Sequence, residues 1–191
     1  MSTFDALLDC SAALLEARGA ASFTTNLLAA ESGMSVRAIY RYFPNKQAIL
    51  VELARRTSAR WFDAVAAVGE LTDPSVPWEP IWRRYLDTWV EAVVATPGGR
   101  AVVAAMRDDP VLRAVDDELN DRYIDGVADA LRARNPSLRR GRARSVARVL
   151  VRSTIGVLDE ALTKPRAART ASIAELQEMH VVYIGRVLGE G

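Results

Sequence analysis

The sequence contains very little of the chemistry on which disulfides, metal clusters and most catalytic sites depend. Its 191 residues include one cysteine, Cys10, and one histidine, His180. A single cysteine excludes a disulfide within the chain and a cysteine metal cluster, and this fits a reducing compartment. A single histidine without a supporting motif argues against a helical enzyme, and a structural or interface histidine is the commoner case. We therefore expect no catalytic residues, no metal and no cofactor.

Excess charge and long apolar runs are also missing. The 25 lysines and arginines nearly balance the 24 aspartates and glutamates, which leaves a formal net charge of +1. The molecule as a whole therefore does not attract nucleic acid, and any contact with DNA must come from a local basic patch. The N-terminus lacks a charged-then-apolar signal pattern, and no apolar run approaches the length of a bilayer span. We expect a cytoplasmic protein with no membrane partner.

Strand-like alternation is absent as well, whereas apolar residues recur at helical spacing along the chain. Prolines and glycines divide the chain into roughly nine predicted helices. The clearest interruption is the segment 72–77, which contains Pro74 and Pro77. We predict an all-α fold with a three-helix helix-turn-helix domain at 1–46, a connecting helix at 47–73 and a larger helical domain at 74–191.

The segment 23–46 predicts the helix-turn-helix. Thr24 or Thr25 is suited to cap the first helix of the motif, since a hydroxyl there accepts a bond from a free backbone N–H. Gly33 fits the left-handed turn that follows, because it has no Cβ. A small residue, Ala29, comes four positions before this glycine, and the apolar Met34 comes directly after it. The second helix of such a motif is short and lies in a DNA major groove.

The charges of that second helix agree with a DNA contact. The chain from Ser35 to Lys46 carries three basic residues and no acidic residue. Side chains outside the apolar stripe are expected to face base edges or phosphates, and tyrosine hydroxyls can reach phosphate oxygens. A solvated helix in an unrelated helical bundle is the alternative. The candidate DNA contacts in this pattern are Thr25, Ser35, Val36, Arg37, Ala38, Tyr40, Arg41, Tyr42 and Lys46.

These residues resemble the N-terminal DNA-binding domain of the TetR family of bacterial transcriptional regulators. The resemblance rests on the segments 23–25, 28–29, 33–35, 39–43 and 45–46, followed by an apolar helix. It implies that Asn26 is a further DNA contact, and it also favours a contact by Val36. Arg37 stands where many members have glycine, and Leu27 stands where many have a charged residue. These two departures leave the fold unaffected, but the operator sequence cannot be transferred from a relative.

The middle of the chain is rich in aromatic residues. The resemblance implies a cavity among its helices that receives a small, often apolar or aromatic effector. An ordinary aromatic core is the alternative. The candidate effector-binding residues are Trp61, Trp82, Tyr85, Trp89, Met106 and Tyr123.

The last two predicted helices mix small and apolar residues along one face, which suits a four-helix interface between two subunits. These faces could instead close the core of a single chain. The resemblance favours a homodimer, because family members dimerise through these helices. The candidate interface residues are Val146, Leu150, Val157, Leu176, Met179 and Tyr183.

Two charged segments lie outside these candidate sites. We expect the acidic face from Asp116 to Asp121 to be solvated, and it lacks the companion histidines of a metal site. The segment 132–152 holds eight arginines and no acid. It either contacts an anionic ligand or nucleic acid, or forms a solvent face.

Three classes of function are compatible with this pattern: a ligand-responsive DNA-binding repressor, a helical interaction module and a helical enzyme. An interaction module leaves the acid-free recognition helix unexplained, and an enzyme lacks its catalytic groups. We therefore predict a dimeric repressor that binds a double-stranded DNA operator and is released from it by a small effector.

Overall fold

The computed structural model describes residues 2–189, apart from the side chain of Val111. This part of the chain forms nine helices and contains no β-strand, which confirms the predicted all-α fold. The helices are α1 Thr3–Ser22, α2 Thr25–Ser32, α3 Val36–Ile39, α4 Lys46–Ala66, α5 Trp78–Ala95, α6 Gly99–Asp108, α7 Pro110–Arg134, α8 Arg140–Ala161 and α9 Arg166–Leu188. Within this part of the chain, no helix is both long enough and apolar enough to cross a bilayer.

The residues group into two compact units. One comprises the residues up to Phe62 together with Glu91–Leu119, and the other comprises Asp63–Val90 together with the residues from Asn120 onward. Each unit therefore combines segments from both sides of the interruption at 72–77. The division into domains at 1–46, 47–73 and 74–191 stays a prediction.

The first unit has a continuous apolar core. Fully buried side chains come from the motif helices, as at Leu28 and Ile39, and from α6, as at Val102 and Met106. The first helix packs against both α2 and α6. Residues expected to belong to the second domain thus complete the core beneath the helix-turn-helix.

The turn before α6 makes the closest approach to α1. Gly98 has a φ of 69°, and a Cβ placed there would lie 2.4 Å from the carbonyl oxygen of Ala12. Its backbone N–H donates to the Oε2 atom of Glu16 at 3.1 Å. No side chain of its own segment caps α6. The carboxylate on α1 therefore binds at the helix start, where the helix dipole favours a negative charge.

In the second unit, the arginine-rich segment is partly neutralised by the acidic face of α7. Arg144 binds Asp121 at 2.9 Å and Asp125 at 2.8 Å. The guanidinium of Arg134 donates to three carbonyl oxygens of the loop before α5, which belong to Glu70, Leu71 and Val76. These contacts give part of the segment a structural role.

Candidate functional site

The helix-turn-helix is fixed by two caps and a glycine turn. The hydroxyl of Thr24 accepts a bond from the N–H of Leu27 at 3.1 Å, and the hydroxyl of Ser35 accepts one from Ala38 at 3.2 Å. Between the two helices, Gly33 has a φ of 69°, in the left-handed region that favours glycine. Local sequence thus determines where each helix begins and how the chain turns between them.

The recognition helix α3 is short, and its outer face is open. Its backbone continues to Phe43 through tighter turns, in which the N–H of Tyr42 donates to the carbonyl of Ile39 at 2.9 Å. Only Ile39 of α3 is fully buried, which anchors the helix to the core. Among the candidate contacts, half-buried side chains are those of Thr25, Val36, Ala38 and Lys46, and exposed side chains are those of Asn26, Ser35, Arg37, Tyr40, Arg41 and Tyr42.

Two of the predicted phosphate contacts lie next to each other. The hydroxyls of Thr25 and Tyr40 are 3.4 Å apart, although fifteen positions separate them in the sequence. The rings of Tyr42 and Phe43 both contact Phe4 of α1, with centroids 6.5 Å and 5.0 Å away. The helix α1 therefore packs against the residues that follow α3. The helix-turn-helix motif in the sequence did not indicate this contact.

Lys46 also has a partner within the protein. Its ammonium donates to the carbonyl oxygen of Ala20 at 2.8 Å and lies 5.8 Å from the centre of the Phe23 ring. This contact joins the end of α1 to the start of α4. A phosphate contact by Lys46 stays a prediction, and it would compete with this bond.

Four of the six candidate effector residues form a chain of rings in the second unit. Trp82 stacks on Tyr85 at 5.4 Å, Tyr85 meets the edge of Trp89 at 6.1 Å, and Trp89 stacks on Tyr123 at 4.8 Å. All four are buried. We call these four residues the ring chain. Burial and the nearby Tyr123 raise the pKa of Tyr85, so its hydroxyl is un-ionised near neutral pH.

The other two candidates belong to the first unit. Met106 is part of its core, and the indole N–H of Trp61 donates to the Thr96 hydroxyl at 2.9 Å. A cavity in the second unit lies beside Trp82 and measures about 20 Å³. That is room for about one water molecule. It is lined by Leu71, Trp78, Trp82, Val127, Ala130, Leu131, Arg134, Ile184 and Leu188.

His180 lies at one end of the ring chain. Its imidazole is 1% exposed, its ring centroid is 5.7 Å from that of Trp82, and its Nε2 atom is 2.8 Å from the Ser153 hydroxyl. Burial lowers the pKa of His180 to about 4, so the ring is neutral near pH 7. Among residues 2–189, no group forms a hydrogen bond with His180 Nδ1 or Trp82 Nε1, and both atoms are buried. An unsatisfied buried polar atom typically costs about 1–3 kcal/mol.

The candidate dimer residues divide by exposure. Val146, Leu150 and Leu176 are buried within the chain itself, where α8 packs on α9. Val157 and Tyr183 are half-buried, and Met179 is 51% exposed. These helices expose two other large apolar side chains, Val149 and Val182, which are 54% and 65% exposed, and sequence reasoning missed Val149. The exposed apolar surface therefore overlaps only in part with the stripe that periodicity identifies, since Met179 belongs to both.

Two family models match the sequence. Residues 7–53 match the bacterial regulatory proteins of the tetR family, and residues 77–183 match the tetracyclin repressor-like C-terminal domain. The second match alone covers more than half of the chain. The protein belongs to the TetR family. No curated protein matches the sequence of this TetR-family chain.

Solved structures share its fold over nearly the whole length. A TetR-family transcriptional regulator from Streptomyces coelicolor is 22% identical, with a TM-score of 0.71, and the match covers 97% of this chain and 99% of that one. The fatty acid degradation regulator FadR from Bacillus halodurans is 16% identical, with a TM-score of 0.74 and 98% of each chain covered. The multidrug binding protein EbrR, complexed with malachite green, is 20% identical, with a TM-score of 0.73 and coverage of 95% and 97%. With identities below 25%, these structural matches show a shared fold alone.

Membership in the family decides between the classes of function. TetR-family proteins are DNA-binding transcriptional regulators, and so this chain is one rather than an enzyme. In the sequence, the acid-free recognition helix and the helix caps already indicated a DNA-binding regulator. No sequence pattern indicated the contact of Glu16 with Gly98 or that of His180 with Ser153, because each contact joins segments that are far apart in the chain.

The buried imidazole makes stability depend on pH. Between pH 7.5 and 5.5, we expect His180 to lower the free energy of unfolding by about 1 kcal/mol. Its folded pKa of about 4 lies below the unfolded value of 6.5. The unfolded chain therefore binds a proton that the folded protein does not bind, and stability falls as the pH falls through 6.5 towards 4. Urea unfolding at the two pH values measures the loss.

The variant His180→Gln is the control, because glutamine does not titrate and the chain has no other histidine. Carboxylates change the unfolding free energy equally in the wild type and the variant. The contribution of His180 is therefore the difference between the two proteins in how much stability they lose from pH 7.5 to pH 5.5. If the wild type loses no more stability than the variant, the imidazole is accessible to protons in the folded protein.

Proposed function

We propose that this TetR-family regulator is a dimeric repressor that binds a palindromic operator in the cytoplasm and is released by a small apolar or aromatic effector. The observation that carries the proposal is the outer face of α3 and of the turn that follows it, where Arg37 and Arg41 are exposed and no residue between Ser35 and Lys46 is acidic. Buried Ile39 and the cap by Ser35 hold that face rigidly. A rigid helix that presents basic side chains is what reading of base edges requires.

The DNA-binding part is tested by selecting random-sequence double-stranded DNA with the purified protein. A dimeric reader should select two inverted half-sites with centres about 10 base pairs, or a multiple of that, apart. Selection of no consensus, together with binding that is equal for all sequences, would contradict the proposal.

Arg37 is the residue expected to read a base. It is exposed on the first turn of α3, and a bidentate arginine–guanine pair supplies roughly 1–3 kcal/mol of discrimination. Arg37→Ala should therefore relax the preference at one position of each half-site while the rest of the consensus is kept. The matched control is Arg166→Ala, which removes the same charge from an exposed position on α9. An unchanged consensus in Arg37→Ala would mean that Arg37 is not a reader.

The dimer is supported by the apolar side chains that α8 and α9 expose. Met179 and Val182 are three positions apart on α9, so they are neighbours on its surface. Large exposed apolar residues on the two helices are suited to association with a second copy. The core residues Val146, Leu150 and Leu176 would then support this surface from beneath.

Val182→Glu should raise the dissociation constant of the dimer at least about tenfold, because a charge would be buried in an apolar contact. Light scattering after gel filtration at decreasing concentrations measures the change. Val94→Glu is the matched control, since Val94 on α5 is also about half exposed, at 51%. If Val182→Glu remains as dimeric as Val94→Glu, the contact between subunits lies elsewhere.

The ring chain supports an effector of aromatic or apolar character. EbrR was solved with malachite green and also with imidazole, both of which are aromatic. Buried rings offer the large contact area that such a ligand needs. Because the cavity beside Trp82 measures about 20 Å³, the packing around Trp82 must open to admit a ligand. Binding would thereby be coupled to a change in the packing of the second unit.

A further inference from the structure

The end of the ring chain at Trp82 and His180 combines a donor and an acceptor that the protein itself leaves unused. Trp82 is 3% exposed and His180 is 1% exposed. Within the part of the chain that the structure describes, neither Trp82 Nε1 nor His180 Nδ1 has a hydrogen-bond partner. Their ring centroids are 5.7 Å apart. The two unpaired atoms therefore belong to neighbouring rings, and one oxygen can bond to both where the nitrogens come within about 6 Å of each other.

The tautomer of His180 follows from its other neighbour. The Ser153 hydroxyl donates to the carbonyl oxygen of Leu150 at 3.0 Å, so its oxygen is available to accept a bond. The Nε2 atom of His180, at 2.8 Å from that oxygen, is then the protonated nitrogen of the neutral ring. This leaves Nδ1 with a lone pair that can only accept. The indole N–H of Trp82 can only donate.

Few chemical groups satisfy both atoms. A carboxylate has no proton for Nδ1, and an ammonium has no lone pair for the indole N–H. A hydroxyl of an organic ligand can donate and accept at once. Arg134, which lines the small cavity beside Trp82, already donates to the carbonyls of Glu70, Leu71 and Val76. An anionic ligand therefore gains little there.

We infer that Trp82 and His180 form the polar end of the effector site, and that the effector is an uncharged aromatic compound with a hydroxyl. The hydroxyl accepts from Trp82 Nε1–H and donates to His180 Nδ1. Its aromatic part lies along the rings of Trp82 and Tyr85, which stack at 5.4 Å with planes only 12° apart. A ligand ring inserted there replaces one stacked contact by another. This inference rests on the proposed effector function and gives that site its chemical class.

The test uses two pairs of probes in which a hydroxyl replaces a methyl group: p-cresol with p-xylene, and 2-naphthol with 2-methylnaphthalene. Binding is measured by calorimetry. Two buried hydrogen bonds should make the hydroxylated member of at least one pair bind tenfold or more tightly. Trp82→Phe keeps a ring but removes the donor, so this preference should fall severalfold. Trp89→Phe alters a different ring of the chain, and it should weaken both members of a pair alike.

A second measurement needs no variant. His180 is the only histidine, so protein labelled with ¹⁵N-histidine gives the signals of a single imidazole. The hydroxylated probe should shift the Nδ1 signal, while its methyl counterpart should leave that signal in place. A direct effect on Nδ1 distinguishes a ligand contact from a general loss of packing.

The inference is overturned if both members of each pair bind equally, if no probe binds, or if Trp82→Phe keeps the full preference. It is also overturned if Nδ1 is already hydrogen-bonded in the free protein and stays unchanged with the probes, since a resident water would then satisfy the pair. Operator binding without any probe is measured in parallel. If the protein does not bind an operator, the proposed function is wrong. If it binds an operator but no probe, only the assignment of Trp82 and His180 to the effector site is wrong.

Discussion

Replacing Gly98 by alanine is expected to lower the free energy of unfolding by about 2–5 kcal/mol. The new Cβ would lie 2.4 Å from the carbonyl oxygen of Ala12, and that atom belongs to helical backbone rather than to a flexible side chain. Overpacking of this kind costs about 1–3 kcal/mol. The left-handed backbone, with its φ of 69°, adds about 1–2 kcal/mol for any residue with a Cβ. Urea unfolding followed by circular dichroism measures the sum.

Gly33→Ala separates the two contributions. Gly33 has the same φ of 69°, but a Cβ placed there meets no atom within 4 Å. This variant should therefore lose only the backbone part, about 1–2 kcal/mol. If Gly98→Ala loses no more than Gly33→Ala, α1 and the turn before α6 do not stay in close contact in solution.

The parts of the fold that sequence predicts well are those determined by neighbours in the chain. The cap by Thr24 and the turn at Gly33 each depend on one residue and its local backbone, and both occur as the pattern indicates. Exposure of Arg37 follows from the helical period in the same way. Helix ends are less well determined: α4 ends at Ala66, although no breaker comes before Gly69.

The parts that sequence does not predict are contacts between distant segments. Nothing near Gly98 indicates that Glu16 caps its helix, and nothing near His180 indicates a bond to Ser153. The arginine-rich segment has no acid of its own, yet Arg144 is paired with two aspartates of α7. Periodicity shows that one side of α8 is apolar, but it does not show whether the same chain or a second copy covers that side.

Effector release is the second large effect that we expect. The helices α4, α5 and α7 each contribute residues to both compact units, so a change of packing in the second unit can be transmitted along them. The two recognition helices of a dimer must be about 34 Å apart to occupy successive major grooves. An effector that separates the rings of the second unit would favour a different spacing. To shift a dimer from almost fully bound to almost fully released, it must prefer the released state by about 5.5 kcal/mol.

Linkage gives this expectation a sharp test. If an effector weakens operator binding by some factor, the operator must weaken effector binding by the same factor. A compound found to bind the protein is titrated with and without the selected operator, with the fluorescence of the four tryptophans as the signal. DNA of equal length without the selected sites is the control, and it should leave the effector affinity close to that of the free protein. We expect the operator to lower the affinity of each of the two effector sites by about a hundredfold, because two such factors together give the 5.5 kcal/mol needed across the dimer. Equal affinities in the presence of operator and control DNA would mean that the compound binds without releasing DNA, and the chain would then regulate transcription by another signal.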